Sequence, residues 1–351
     1  MTEPAVKQPN SLLNLSPNQR IWRRFKANKR GYYSLIIFSV LFILSLFAEL
    51  LSNDKPLVIF YKGDLYVPVL VSYPETTFGG DFETEADYND AYIRKKISDD
   101  GWLINTLNSH SYNSINYDSA EANPAAPSAQ NLLGTDDRGR DVLARLIYGF
   151  RLSVLFAFVL TLIGVVIGII AGAVQGYFGG RIDLYFQRFI EVWGSMPELY
   201  LLIIFSSIFQ PGVLILIVLL SLFGWMGLSD YVRAEFLKGR NLEYIKAAKA
   251  LGLSNLQIMW RHLLPNSLTP VITFLPFRIS GSILALTSLD FLGLGVPPST
   301  PSLGELLSQG KENISAWWLS LSTFIVLVGT LMLLIFIGEA IREALDSRKK
   351  S

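Results

Sequence analysis

The stretch from Asn241 to Asn266, NLEYIKAAKALGLSNLQIMWRHLLPN, is polar and basic, yet it lies between two apolar segments that are long enough to cross a membrane. Helix-forming residues fill its first arm, and Gly252 follows them, a residue that readily takes the left-handed conformation that ends a helix. Ser254 and Gln257 have the spacing of a capping box, which predicts a second helical arm. Pro265 is expected to end that arm. A transporter that works alone has little use for such a helix–turn–helix, whereas a pump driven by a separate motor protein needs one.

The two arms also predict a contact surface. Small side chains are expected to keep one side of the first arm slim enough to fit a groove, at Ala247, Ala248 and Ala250. Apolar side chains of the second arm are expected to face a partner, and these are Leu256, Ile258, Met259, Trp260 and Leu263. Binding to nucleic acid is disfavoured, because both ends of the helix–turn–helix lead directly into membrane.

Hydrophobic residues make up 51% of the 351-residue chain, and their distribution indicates a membrane protein. Each of four strong segments is long enough to cross a hydrocarbon core of about 30 Å. Two weaker segments are separated by Gln210-Pro211-Gly212, which predicts a tight turn between short spans, with a re-entrant hairpin as the alternative. The predicted fold class is an all-α integral membrane protein with six transmembrane helices and one long insert. The six segments are Tyr32–Leu51, Leu152–Val174, Ile190–Phe209, Val213–Leu228, Val271–Leu294 and Ala316–Gly338.

The distribution of charge predicts the orientation. Basic residues concentrate in the N-terminal segment 1–31, in the loop 241–266 with the residues before it, and in the tail 341–351, and six spans put all three on one side. The positive-inside rule makes that side cytoplasmic, so both chain ends are expected in the cytoplasm. The insert 52–140 has seven basic and fourteen acidic residues and is expected to be extracytoplasmic. The first span is 32–51, and residues 141–340 form a five-helix core.

Two smaller features belong to these flanking parts. Residues 16–30 favour either a basic amphipathic helix that rests on membrane lipid or a segment whose charges only fix the topology. In the insert, Leu57–Tyr61 and Leu65–Val71 resemble strands, and Pro68 restricts the second to a sheet edge. The insert is too small and polar for much of a core of its own, so a β-containing cap on the membrane domain is expected.

No pattern in the chain supports catalysis. The chain has no G-x-x-x-x-G-K-[ST] loop to hold phosphates, so it is not expected to hydrolyse ATP itself. It contains no cysteine, and neither His110 nor His262 has a metal-ligand neighbour at helical spacing. We therefore expect no catalytic site, no metal site and no cofactor in this chain.

Three motifs resemble the permeases of ABC importers. The order Ala247-Ala248, three residues, Gly252 and, after a further ten, Leu263-Leu264-Pro265 resembles the EAA loop that plugs into the ATPase subunit, although Lys246 replaces the motif's glutamate. The segment 134–151, GTDDRGRDVLARLIYGFR, resembles the signature before the second span of oligopeptide and dipeptide permeases, and 288–304, SLDFLGLGVPPSTPSLG, is a third match. The first span and the insert sequence FGGDFETEADY are similar to the Yej-type peptide and microcin C importer permeases within that family.

The resemblance implies one permease half of a type I ABC importer in the bacterial cytoplasmic (inner) membrane. Its implied partners are a second homologous permease, an extracytoplasmic substrate-binding protein, and an ATPase subunit or fused double ATPase that carries ATP and Mg. The implied substrates are oligopeptides, including peptide antibiotics such as microcin C. The implied ATPase-coupling residues are Glu243, Lys246, Ala247, Ala248, Gly252, Leu264 and Pro265. The implied residues of a gate or a binding-protein contact are Asp136, Asp137, Arg140, Asp141, Pro297 and Pro298.

Two alternatives remain open at this point. Within the family, the substrate could instead be nickel or another small solute. A self-sufficient secondary carrier is less favoured, because it would be expected to show paired broken spans in two halves of the chain, and the sequence shows none.

Ionisable residues within spans are candidates for function, since a charge in lipid is costly. Arg278 could face a water-filled pathway and attract a peptide carboxylate. An ion pair with Glu191, Glu198 or a partner subunit, or an intracellular gate, explains it equally well. Asp290 is expected to tie the loop that follows it, and Glu198 is expected at a helix start, where the helix dipole favours a carboxylate.

Overall fold

Helices form most of the chain in the computed structural model, which describes residues 16–116, 122–209 and 212–346. The predicted N-terminal segment and tail are therefore described in part, and the predicted turn at 210–212 lies outside the described residues except for Gly212. A π-helical segment, Ile258–Leu263, joins the eleventh helix to the twelfth. The α-helices are α1 (Pro17–Ala27), α2 (Lys29–Leu46), α3 (Ala48–Leu51), α4 (Ala91–Asp100), α5 (Val142–Phe178), α6 (Gly180–Gly194), α7 (Glu198–Ile208), α8 (Val213–Gly224), α9 (Met226–Gly239), α10 (Glu243–Ala250), α11 (Asn255–Gln257), α12 (Leu264–Phe291), α13 (Leu303–Glu312) and α14 (Trp317–Leu345).

The described residues contain five helical stretches that are long and apolar enough to cross a membrane. Helices α6 and α7 form a sixth span when they are counted together, with a bend of 62° between them. The predicted number of six is confirmed on that count. The five unbroken stretches are Lys29–Leu46, Val142–Phe178, Val213–Gly239, Asn255–Phe291 and Trp317–Leu345.

Helix α5 begins well before the predicted span because its first turns are buried by protein rather than by lipid. It starts at Val142, with Asp141 as its N-cap, whereas the apolar run begins at Leu152. Arg145 and Tyr148 in these first turns are both buried. Hydropathy does not reveal such residues, because their polar groups are satisfied by other parts of the chain.

Glycines let α5 pack closely against α9. Gly164, Gly168, Gly172 and Gly176 recur every four residues and so lie on one face of α5. A Cβ atom on Gly172 would lie 2.8 Å from the Cβ of Val232, and one on Gly176 would lie 2.6 Å from the carbonyl oxygen of Arg233. Small residues at helix interfaces allow this close backbone approach, and van der Waals packing then holds membrane helices together.

Polar side chains form hydrogen bonds at this interface and between α9 and α6. Gln175 of α5 is fully buried and donates a hydrogen bond of 2.9 Å from Nε2 to Ser229 Oγ of α9. Arg233 of α9 donates a hydrogen bond of 2.8 Å from Nη2 to Asp183 Oδ2 of α6. Because lipid offers no hydrogen-bonding partners, such groups stabilise the helix arrangement by bonding to one another.

The insert has a small core of its own, formed by seven buried residues, which agrees with the expectation of a limited core. Strands β1 (Val58–Tyr61), β2 (Asp64–Tyr66) and β3 (Gly101–Ile104) form an antiparallel sheet in the order β2-β1-β3. Helix α4 covers one face of this sheet. Three aromatic and four aliphatic side chains form the buried set, which is Ile59, Tyr61, Phe78, Ala86, Tyr88, Ile93 and Ile97.

The second predicted strand lies at the edge of the sheet, as Pro68 predicts, but it is shorter than predicted. It ends at Tyr66 instead of Val71, before Pro68, which has no N–H to donate to a sheet. Lys55 and Glu85 form an ion pair outside the sheet. The hydrogen bond from Lys55 lowers the pKa of the Glu85 carboxyl group.

The N-terminal helix α1 packs on the last span rather than lying free on lipid. Ser16 and Gln19 form a capping box at its start. Phe25 is buried against Ala340 and Ala344 of α14, and Trp22 remains 48% exposed. The predicted basic amphipathic helix is therefore present, with one apolar side turned to protein and Trp22 available to the membrane interface.

Candidate coupling loop and charged sites of the membrane core

The first arm of the loop 241–266 ends as the sequence predicts. Helix α10 begins at Glu243 and ends at Ala250, and Gly252 follows with a left-handed φ of +81°. The N–H of Leu253 donates to the carbonyl of Ala248 at 3.2 Å across this turn. The left-handed residue therefore reverses the chain between the two arms.

The predicted capping box is also present. The N–H of Gln257 donates to Ser254 Oγ at 3.3 Å, and the N–H of Ser254 donates to Gln257 Oε1 at 3.0 Å. These reciprocal bonds satisfy backbone donors that a helix start leaves without partners, so they fix the point at which the second arm begins.

The prediction that Pro265 ends the second arm is wrong, since Pro265 lies in the first turn of α12 and the helix continues to Phe291. A π-helical turn precedes it, in which the N–H of Leu264 donates to the carbonyl of Met259, five residues back. Local π geometry is one of the adjustments that let a membrane helix accommodate proline. The second arm and the fifth span are therefore one continuous helix, which contains Pro270 and Pro276.

The buried and exposed faces of the two arms differ from those that the sequence predicts. Ala248 is buried, whereas Ala247 and Ala250 are exposed, so the three alanines do not form one slim face. In the second arm, Ile258, Met259 and Leu263 pack inward against α5, α9 and α10 and are not available to a partner. A helix between membrane spans needs an anchor to its own chain, and these inward residues provide it.

Five large apolar side chains of the loop 241–266 remain exposed, and we call this set of side chains the loop face. It comprises Leu242, Tyr244, Leu251, Leu256 and Trp260, which are 44–82% exposed. Beside it, Glu243 accepts a hydrogen bond of 2.8 Å from Lys246 Nζ. Soluble surfaces rarely collect so many large apolar side chains, and a patch of this kind indicates a protein contact.

Hydrogen bonds fix the base of the loop to the membrane core. Tyr177 at the end of α5 donates from its hydroxyl to Asn255 Oδ1 at 2.7 Å. Asn266 Nδ2 donates to the hydroxyl of Tyr244 at 3.2 Å and so joins the two arms. Leu264 is half-buried against the same core, and Pro265 is exposed. The loop is therefore tied to α5, and its two arms are tied to each other.

Arg278 lies within α12 and contacts the break between α8 and α9. Its Nη2 donates to the carbonyl oxygen of Gly224, and its buried Nε has no acceptor among residues 16–116, 122–209 and 212–346. It forms no ion pair with Glu191 or Glu198, and Glu191 bonds to Arg188 instead, at 2.6 Å. In the described part of the chain, the intramolecular ion pair considered from the sequence is therefore not formed.

A buried cluster joins the start of α5 to the loop after α12. Asp136 is fully buried, and its Oδ2 accepts a hydrogen bond of 2.7 Å from Arg140 Nε. Arg145 Nε lies 3.6 Å from the same oxygen. Both arginines also donate to the carbonyl of Pro298, Arg140 at 2.8 Å and Arg145 at 3.3 Å. Two guanidinium groups thus share one carboxylate and hold two distant loops together.

Asp290 strengthens this connection, as the sequence predicts. Its Oδ1 accepts from the N–H of Val296 at 2.9 Å, and Ser302 Oγ donates to its other oxygen. Asp141, which follows Arg140 in the chain, accepts hydrogen bonds from the side-chain amides of Asn108 at 2.8 Å and Asn131 at 2.9 Å. The insert, the start of α5 and the α12–α13 loop are therefore bonded into one unit.

Burial changes the roles open to the six residues proposed as a gate or a binding-protein contact. Asp136, Arg140 and Asp141 lie inside the chain, where they hold loops and present no surface. Asp137 and Pro298 are exposed and Pro297 is half-buried, so a contact stays possible for these three. Partial desolvation of the Asp137 carboxyl group nevertheless raises its pKa, and the neighbouring Asp136 carboxylate raises it further.

Sequence reasoning missed Arg145 and the glycine face of α5. Arg145 is fully buried in the cluster, although the sequence suggests a residue flanking a span. A signal was present for the glycines, since four of them at a spacing of four residues predict a close helix contact. No comparable signal marks Arg145, because its partners at Pro298 and Thr300 are far away in the sequence.

Comparison with known proteins agrees with this architecture. A family model described as "Binding-protein-dependent transport system inner membrane component" matches residues 164–351. A second, "N-terminal TM domain of oligopeptide transport permease C", matches residues 16–73.

Three curated relatives are similar over much or nearly all of the chain. The inner membrane ABC transporter permease protein YejE of Escherichia coli (strain K12) is 52% identical over 336 residues, covering 95% of this chain and 98% of that protein. The peptidoglycan transport system permease protein YejE of Agrobacterium fabrum is 48% identical over 372 residues, covering 99% and 97%. The dipeptide transport system permease protein DppC of Haemophilus influenzae is 35% identical over 220 residues, covering 62% and 75%.

These matches extend over the six spans, the loop 241–266 and the N-terminal helices. The chain therefore belongs to the family of binding-protein-dependent transport system inner membrane components, and it is a multi-pass ABC transporter permease with the type I importer fold.

Proposed function

We propose that this chain is one permease half of an ATP-driven importer of oligopeptides. The oligopeptide permease match over residues 16–73 and the dipeptide permease relative support this substrate class. The relative from Agrobacterium fabrum is named for peptidoglycan transport, so peptides of cell-wall origin are included in the proposal.

The observation that carries the proposal is the loop face. Large apolar side chains such as Leu251, which is 82% exposed, and Trp260, which is 58% exposed, stand on a helix pair that is itself packed firmly against the membrane core. An apolar patch on a rigid support suits a partner that delivers force. We assign that partner as an ATPase subunit or a fused double ATPase, which would carry the ATP and Mg.

The remaining partners and the orientation follow from the same proposal. A second, homologous permease completes the pathway, and an extracytoplasmic binding protein delivers the peptide. The loop 241–266 and both chain ends then lie in the cytoplasm, and the acidic insert lies outside. Asp137, Pro297 and Pro298 are the proposed contacts for the binding protein.

The continuous helix from Asn255 to Phe291 supplies a mechanism for coupling. At a rise of 1.5 Å per residue, these 37 residues extend about 55 Å. When the ATPase domains close on ATP, they move the loop face. This helix carries that motion past Arg278 to Asp290 and the outer loops. The motion opens the pathway to the other side of the membrane.

Two tryptophans of equal exposure test the proposal. Trp260 on the loop face is 58% exposed, and Trp317 at the start of α14 is 60% exposed. We expect Trp260→Ala to lower ATP-dependent peptide uptake and the amount of ATPase that co-purifies with the permease pair. We expect Trp317→Ala to leave the ATPase bound. If the two variants retain equal amounts of ATPase, the loop face is not the ATPase contact.

A further inference from the structure

Arg278 is held between three helices at the middle of the 28-residue helix α12. Its Nη2 donates to the carbonyl oxygen of Gly224, at the C-terminal end of α8. A Cβ atom on Gly164 of α5 would lie only 3.0 Å from the same nitrogen, so the missing side chain leaves room for the guanidinium group. The position of the charge is therefore fixed by packing and by one backbone hydrogen bond.

The other two nitrogens of this guanidinium group have no acceptor within residues 16–116, 122–209 and 212–346. Nε is buried, whereas Nη1 is not enclosed by the chain. A charge within a membrane helix is costly in lipid, so the group needs water, a partner or a substrate beside it. The accessible nitrogen is therefore available to an anionic group that comes from outside this chain.

A cavity of about 180 Å³ lies beside Arg278, between α9 and α12. Part of its wall is polar, and Arg278 and Tyr231 carry the only polar side chains among its described lining residues. Aromatic rings form much of the rest, and those of Tyr231 and Phe274 stack with their centroids 4.8 Å apart. Pockets for drug-sized ligands measure about 300–1,000 Å³, so this cavity suits the end of a peptide better than a whole one.

The chemistry of this lining selects one end of a peptide. Tyr231 is 51% exposed, and its hydroxyl forms no hydrogen bond with any residue that the structure describes. A guanidinium group and a phenol hydroxyl both donate to a carboxylate, and the bond to the guanidinium is strengthened by charge. An ammonium group would instead be repelled by Arg278, and no described lining residue carries a negative charge. The cavity therefore favours a carboxylate.

We propose that the cavity between α9 and α12 binds the C-terminal carboxylate of the transported peptide, with Arg278 as its positive partner and Tyr231 as a second donor. This inference rests on the proposed function of peptide import. The stacked rings of Tyr231 and Phe274 then contact the side chain of the last peptide residue. Peptides that have a free carboxylate and an apolar last residue are therefore the preferred ligands.

Peptide binding to the assembled complex without the binding protein provides the test, since the binding protein would add its own selection of peptide ends. The probe is a tripeptide, Lys-Ala-Phe, with a fluorophore on the lysine side chain. It is prepared with a free or an amidated C-terminus. The permease pair and ATPase are embedded in lipid nanodiscs, and the affinity of each probe is measured for the wild type and the variants.

We expect the wild type to bind the amidated probe about tenfold more weakly than the free acid, which corresponds to about 1.4 kcal/mol. Arg278→Gln should abolish this difference by weakening binding of the free acid, and Arg278→Lys should keep part of it. Tyr231→Phe, which removes only one hydroxyl, should narrow the difference to about threefold. The matched controls, Arg188→Gln and Tyr185→Phe, alter exposed side chains of α6 and should leave the difference unchanged.

The outcomes separate this inference from the function beneath it. If the wild type imports peptides but binds the two probes alike, or binds neither, the inference fails and peptide import stands. If Arg278→Gln weakens both probes equally, or loses the second permease on purification, Arg278 stabilises the assembly and the inference is overturned. If the wild-type importer takes up no peptide at all, the proposed function fails and this inference fails with it.

Discussion

Replacement of Gly252 tests how the loop is coupled to the ATPase. Gly252 has a φ of +81°, and a Cβ atom built on it would meet no heavy atom within 4 Å. Any effect of a side chain must therefore come from backbone strain and not from a steric clash within the chain. A non-glycine residue in the left-handed region costs about 1–2 kcal/mol, less for asparagine and more for a β-branched residue.

The strain predicts a rank order of variants. One to two kcal/mol changes an equilibrium constant by a factor of about 5–30, so Gly252→Ala should lower the ratio of correctly turned loops to other conformations by that factor. Gly252→Val should be worse and Gly252→Asn close to wild type. The assay is peptide-dependent ATPase activity and uptake by the reconstituted complex, with membrane insertion of each variant checked by yield. Full uptake by Gly252→Val, or equal loss in Gly252→Asn and Gly252→Val, would refute the reasoning.

Three further predictions concern packing, orientation and pH. Gly172→Ala should destabilise the chain because its Cβ would meet α9, whereas Gly227→Ala, with open space, should be neutral or stabilising by up to about 1 kcal/mol, as thermal denaturation of the purified protein would report. Single cysteines at Leu107, which is 87% exposed, and Leu251, which is 82% exposed, should be labelled by an impermeant thiol reagent from outside for Leu107 only, and the reverse result would invert the topology. The ion pair with lysine lowers the pKa of Glu85, so its stabilising effect is present above the unfolded-state pKa of about 4.3 and is lost as pH falls through the lower folded-state pKa. Limited proteolysis of the insert should therefore accelerate below about pH 4, and less so in Glu85→Gln.

The sequence is most informative where local chemistry decides the structure. The left-handed Gly252 and the capping box at Ser254 depend on residues within a few positions of one another, and both are as predicted. The spans are predictable for a similar reason, since hydrophobic length alone determines whether a helix can cross a bilayer. Strand β2 also lies at the sheet edge, as Pro68 predicts.

Prediction is weaker where the bonding or packing partners of a residue come from distant parts of the chain. Arg145 is charged and precedes an apolar run, so it resembles a flanking residue until Asp136 and the carbonyl of Pro298 are placed beside it. Ile258 and Leu263 are apolar on a loop between spans, and only the position of α9 shows that they face inward. In both cases the information is in tertiary contacts that no local pattern contains.

Pro265 shows how such a difference changes the mechanism as well as the fold. A helix that ended at Pro265 would make the coupling loop a separate piece, joined to the fifth span by a flexible corner. The π turn before it instead keeps the helix continuous from Asn255 to Phe291. Pro270 and Pro276 lie inside this helix and favour a bend, so the loop and Arg278 are joined by a continuous helix and not by a flexible corner or a straight rod. Under the proposed function, one continuous helix thus joins the coupling loop, Arg278 and the outer loops, which is the connection that alternating access by a separate motor requires.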